Sequence, residues 1–145
     1  MSSLVTFLVV PDLMVLLAVN VVLWAWVVLV PPVVLRVRRL HFGASGLALP
    51  GVIVIAEENA HGFPPEVVIR HEIVHQAQFR RYTPVGAAVL LGWHYGLGVL
   101  RARCPEEATL RHLWQNHPLE NEANAAMTRT DPLPRLIGWP RTPSA

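Results

Sequence analysis

The segment His71-Glu72-Ile73-Val74-His75 sets two imidazoles four residues apart, with a carboxylate beside the first. On a helix, residues i and i+4 share a face, so both rings can bind one Zn²⁺ at about 2.0–2.1 Å. Glu72 is turned about 100° away from His71. That is a poor position for a third ligand and a good one for reaching a water on the metal, as a general base must.

Two histidines leave a zinc site incomplete, so a third protein ligand must follow. A third histidine six residues on would fall at Arg81, and the glycine of that longer motif at Gln78, so the three-histidine pattern is excluded. The candidates that remain are Glu120 and Glu122, in Asn116-His117-Pro118-Leu119-Glu120-Asn121-Glu122-Ala123-Asn124. Either would also favour the positive end of a helix starting near Pro118.

The pair HEIVHQAQ and PLENEAN resembles the zinc metallopeptidases with a glutamate third ligand. It is similar in particular to small bacterial membrane-linked proteins of the form H-E-x-x-H-x-x-Q … N-P-x-E-x-x-A. More distantly it is similar to the integral-membrane CAAX-processing endopeptidases. The resemblance covers about residues 45–127. It implies a zincin-like domain, peptide hydrolysis, His71, His75 and Glu120 as zinc ligands, and Glu72 as the catalytic base. Two departures stand out: His117 separates the asparagine from the proline, and Asn124 replaces an aspartate. That aspartate usually holds a ligand histidine, a bond Asn124 can still accept through its amide oxygen.

These residues need a frame. Pro64-Pro65 and Glu66 open a helix and Pro84 stops it, which predicts a helix over 65–82 carrying the motif. Upstream, GLALPGVIVIA (46–56) is β-branched and reads as a strand, with 52–56 a candidate edge for extended substrate. Residues 57–63 are a turn-rich loop. Downstream lie an apolar, glycine-rich segment (85–100), a short amphipathic helix (106–116) and a helix from Pro118 to about Thr128. His94, His112, His117 and Tyr95 lie in or near this stretch and are candidates for an oxyanion donor, none of them singled out. His41 and His61 fall in loops.

Of 145 residues, 52% are hydrophobic and only 15% charged, against roughly 25% charged in an average soluble protein. From Leu13 to Leu35 the sole strongly polar side chain is Asn20, a length that spans about 30 Å of hydrocarbon. Trp24 and Trp26 suit an interfacial belt. Arg36, Arg38 and Arg39 follow, so the positive-inside rule puts the N-terminus outside and the domain in the cytoplasm. Segment 85–100 cannot cross as well, because His75 and Glu120 must meet at one ion. It is therefore a core, re-entrant or interfacial helix. All twelve basic residues are arginines and they are scattered, so nucleic acid is not an expected partner despite a pI near 9.3. The single cysteine, Cys104, excludes a disulfide framework and a thiolate-rich zinc site.

The expected protein is α+β and mainly helical, with a membrane anchor (1–39), a metallopeptidase-like domain (40–130) with a short sheet, and a proline-rich tail (131–145) extended along the surface or disordered. Its cofactor is Zn²⁺, and its partners are a peptide or protein substrate and membrane lipid. The competing reading is a non-catalytic zinc-binding membrane protein, structural or regulatory. Retention of Glu72 weighs against it.

Overall fold

The computed structural model describes residues 2–41, 44–58, 61–102, 112, 113 and 115–139. It is mainly helical with one small sheet. Helix α1 covers Ser2–Leu29, and its Asp12–Leu29 stretch is long and apolar enough to cross a membrane. Only 6% of that stretch is buried, so it is not the domain's core helix. The apolar segment is thus corrected at both ends, since the helix starts before Leu13 and stops before Leu35. Pro31 and Pro32 lack the N–H groups a helix needs. The β-branched run behind them, Val33–Val37, becomes strand β1.

Strands β2 (Gly46–Leu49) and β3 (Val52–Ala56) complete a sheet of order β1-β3-β2. β1 runs parallel to β3, and β2 antiparallel. The 46–56 stretch, expected as one strand, is therefore a hairpin. Pro50-Gly51 forms its two-residue turn, with Gly51 at φ 75°, a conformation that suits glycine in the third position of such a turn. A side chain at Gly51 would also strike the Trp26 indole of α1.

One sheet face packs on helix α2 (Pro65–Tyr82), where Val34, Ile53 and Ile55 meet Val68 and Ile69. Leu136 joins this core from the chain's last segment. Val34 N–H donates to Ile137 O at 2.8 Å, and Ile137 N–H to Pro32 O at 3.0 Å, adding a parallel rung beyond β1. Residues 133–139 are thus held to the sheet rather than lying loosely on the surface. Their apolar side chains Leu133, Leu136 and Trp139 recur every third residue and reach the core. Residues 140–145 lie outside the described residues.

Helix α3 (Pro84–Ala102) leaves α2 at 105° and does not continue it. The elbow is Thr83, at φ 63°, a backbone state that costs a β-branched residue about 1–3 kcal/mol. Asn20 holds it: Nδ2–H donates to Thr83 Oγ1 (3.3 Å) and Oδ1 accepts from Val85 N–H (3.1 Å). The one polar side chain of the apolar segment therefore ties α1 to the α2–α3 corner. Helix α4 (Pro118–Ala126) packs across α2. Cys104 and most of the helix expected over 106–116 lie outside the described residues.

Gln76, almost fully buried beside His75, fixes the hairpin to α2. Its Oε1 accepts from Gly51 N–H at 2.9 Å, and its Nε2 donates to Leu49 O (2.7 Å) and Val52 O (3.0 Å). Gly46 lets β2 approach Glu72 so closely that a Cβ there would collide with Glu72 Oε1 and come within 2.6 Å of Val68 Cγ1. Gly46→Ala should cost about 1–3 kcal/mol through overpacking and should displace the Glu72 carboxylate. A thermal melt reads the first effect and any Glu72-dependent activity the second. An unchanged melting temperature would show that β2 can back away.

Candidate metal centre

His71 and His75 project from one face of α2, and Glu120 comes from the first turn of α4. Their ligand atoms lie within 4.8 Å of one another. His71 Nε2 stands 3.1 Å from His75 Nε2 and 3.3 Å from Glu120 Oε2, and His75 Nε2 stands 3.4 Å from Glu120 Oε1. Ligands about 2.0–2.1 Å from a tetrahedral ion lie about 3.3 Å apart. The imidazole pair and the nearest contact of each ring with the carboxylate are close to that length, the two rings meeting different oxygens of Glu120. Glu122, the other glutamate considered as a ligand, lies elsewhere: it accepts from Gln78 Nε2–H (3.0 Å) and faces Arg81 at 3.5 Å.

The donor set also fits chemically. Gln78 Nε2 donates to two acceptors, Leu119 O (2.9 Å) and Glu122 Oε2, which fixes the orientation of its amide. Its Oε1 therefore faces His75 Nδ1 at 2.8 Å and accepts a hydrogen bond from Nδ1–H. That tautomer leaves the Nε2 lone pair of His75 pointing into the triangle. Asn124 hydrogen-bonds the His71 ring. Burial pulls His71 down, but hydrogen bonding to Glu120 and the charges of Glu72 and Glu120 outweigh it, so its pKa is raised. Burial lowers the pKa of His75, which favours the neutral, ligating form.

Glu72 lies beside this triangle, 5% exposed. Burial lifts its pKa to about 7, His71 pulls it down, and the Glu120 charge pushes it further up. A carboxylate poised near neutrality is suited to take up and release a proton.

His117 is buried and structural. Its Nδ1 accepts from Leu119 N–H at 3.1 Å, capping α4 one turn before Glu120. Its ring meets His94 edge-on at 4.6 Å, and burial and the neighbouring His94 lower its pKa. His112 hydrogen-bonds Asn116, and His61 lies against Phe63. Tyr95 on α3 feels the charge of Glu120. β3, considered as an edge for substrate, is the central strand with both backbone edges occupied, so the hairpin's open edge belongs to β2. A cavity of about 240 Å³ lies on another side of α2, between Val28–Pro32 and Arg80, and does not include the triangle.

In the sequence Gln78 registers as a missing glycine and as the last residue of the H-E-x-x-H-x-x-Q pattern, without a role, and Gln76 does not stand out. Both are polar residues on an otherwise buried helix face, and that is the signal that could have found them. Replacing Gln78 by Leu should free the His75 ring and weaken zinc binding about 10–100-fold. Competition with a chromophoric chelator would measure it, and parent-like affinity would mean that the ring is held by packing alone.

Compared with known proteins, the chain matches no family, no curated protein and no solved structure.

Proposed function

We propose that this chain is a membrane-associated zinc-dependent peptidase with a small zincin-like domain, His71, His75 and Glu120 holding the metal and Glu72 acting as general base. The observation that carries this reading is the buried Glu72 carboxylate, its pKa lifted to about 7, beside a His–His–Glu cluster whose ligand atoms lie within 4.8 Å of one another. A purely structural metal site needs no such carboxylate. When bound there, Zn²⁺ would act as a Lewis acid on the scissile carbonyl and acidify water towards a pKa of about 7.

The chain's own residues supply the proton chemistry. A Glu72 carboxylate oxygen takes a proton from the attacking water as the new C–O bond forms. It then gives that proton to the amide nitrogen as the C–N bond breaks, so no proton is gained or lost overall. Gln78 and Asn124 keep the imidazoles in register while this happens. The open edge of β2, brought beside Glu72 by Gly46, offers N–H and C=O groups to an extended peptide. Arg36, Arg38 and Arg39 after α1 favour a cytoplasmic domain.

The detergent-purified protein should carry about one zinc per chain and hydrolyse casein. A chelator should abolish the activity and added zinc restore it. Full hydrolysis by protein stripped of metal would overturn the proposal.

A further inference from the structure

The sheet has a second face, and it is aliphatic throughout its strands. Cross-strand partners share a face, and the partners of the core residues lie on the α2 side. The alternate residues therefore point outward, in the row Ile137–Val33–Val52–Leu49 and the row Leu35–Val54–Leu47. Leu35, Leu47, Leu49 and Ile137 are 45–48% exposed, while Val54 lies buried between Leu35 and Leu47 on the central strand. A sheet with one face in water normally alternates apolar with polar. Here the water-side positions are as apolar as the core side, and an exposed patch of that kind marks an interaction surface.

The occupant follows from where the patch lies. Only Val30, Pro31 and Pro32 separate α1 from β1, so Val33 cannot be more than about 14 Å from the end of the apolar helix. Nor does the domain hang from α1 on that linker. Trp24 Nε1–H donates to Arg80 O at 2.9 Å, Arg80 Nε–H donates to Val27 O at 2.9 Å, and Asn20 binds the elbow. α2 thus runs down alongside α1, and Arg80 lies level with the tryptophans that suit a membrane–water boundary. The same plane carries the hairpin turn, since Gly51 abuts Trp26, and the first aliphatic row adjoins that turn. Val89, Leu90 and Trp93 of α3, whose elbow is tied to α1 at Asn20, are exposed as well. At the far end of the strands the surface turns charged, where Arg38 and Arg39 pair with Glu58. Apolar surface thus surrounds the end of the apolar helix and gives way to charge away from it.

We infer that the outer sheet face is seated in the headgroup–acyl boundary of the bilayer that α1 enters. The domain then rests in the membrane surface, and Leu47 and Leu49 enter lipid by about 5–10 Å. Nothing in this inference depends on peptidase activity.

The test uses the full chain, carrying Cys104→Ser, in phosphatidylcholine–phosphatidylglycerol vesicles. Single cysteines at Leu47→Cys, Leu49→Cys and Leu35→Cys, and at exposed Glu66→Cys as a reference, carry an environment-sensitive fluorophore. Lipids with a nitroxide high on the acyl chain should quench the three sheet positions several-fold more than Glu66, while aqueous iodide should show the reverse order. Iodide quenching of the sheet positions equal to that at Glu66 would overturn the inference. So would shielding from both quenchers that persists in detergent and scales with protein concentration, because that reports a second copy on the patch. The three sheet positions lie on two strands, so one poorly folded variant does not decide the result.

Discussion

Glu72→Gln should retain about one zinc per chain and lose hydrolysis by about 10²–10⁴-fold, the usual cost of removing a general base. The amide has the carboxylate's shape and leaves His71, His75 and Glu120 in place, yet it cannot accept the water's proton. If the chain were a non-catalytic zinc protein, there would be no hydrolysis for the substitution to remove. The same substitution has a second consequence of opposite sign. Burial raises the Glu72 pKa from 4.5 to about 7 in the fold. A raised pKa means the fold favours the neutral acid: that stability is fully present below about pH 4.5 and is lost as pH rises through about 7. The substituted amide would stay neutral throughout. Metal-stripped Glu72→Gln should therefore be more stable than the stripped parent above pH 7, by roughly 2–4 kcal/mol. Below about pH 4.5 the two should melt together. Equal denaturation midpoints at pH 8 would show that the carboxylate is hydrated in solution.

Glu120→Ala should lose zinc and activity together, because two imidazoles alone lack the third bond and the negative charge that close the site. Glu122→Ala should keep its zinc with at most a modest weakening, since Glu122 only receives a hydrogen bond from Gln78 and faces an exposed Arg81. Zinc retained in Glu120→Ala and lost in Glu122→Ala would move the third ligand by two residues. The triangle of donor atoms would then be irrelevant to the metal.

Local chemistry is readable from the sequence, and long-range pairing is not. Prolines bracket the 65–82 helix and fix its ends without help from the rest of the chain, so its span is visible in the residues themselves. The turn at Pro50-Gly51 is just as local, but a continuous apolar run hides it. Val33–Leu35 reads as the end of a membrane segment because β-branched apolar residues suit either setting. Only its pairing with Val52–Ala56 decides the matter. Gln76 looks like an ordinary polar helix residue, and Gln78 is a motif letter without a role, until their partners at 49–52 and 119–122 are in place. Asn20 stands out among apolar neighbours, but its use becomes visible only with the elbow at Thr83. Outward-facing Leu47 and Leu49 look like ordinary strand residues, because composition cannot say which face of a sheet is covered.

The rung between β1 and Ile137 bears on how the protein is made. α1 precedes the sheet and the helices it packs against in chain order. The β2–β3 hairpin and α2 are close in sequence and can pair early, because closing short loops is fast. β1 then waits with one edge open, since the segment that covers it is among the last described residues to be synthesised. Glu120 also arrives late, so the histidines of α2 are made well before their carboxylate partner. The His71–His75–Glu120 cluster is therefore complete only once Pro118–Ala126 has packed on α2. A domain that would cut peptide bonds has its own translation as a delay.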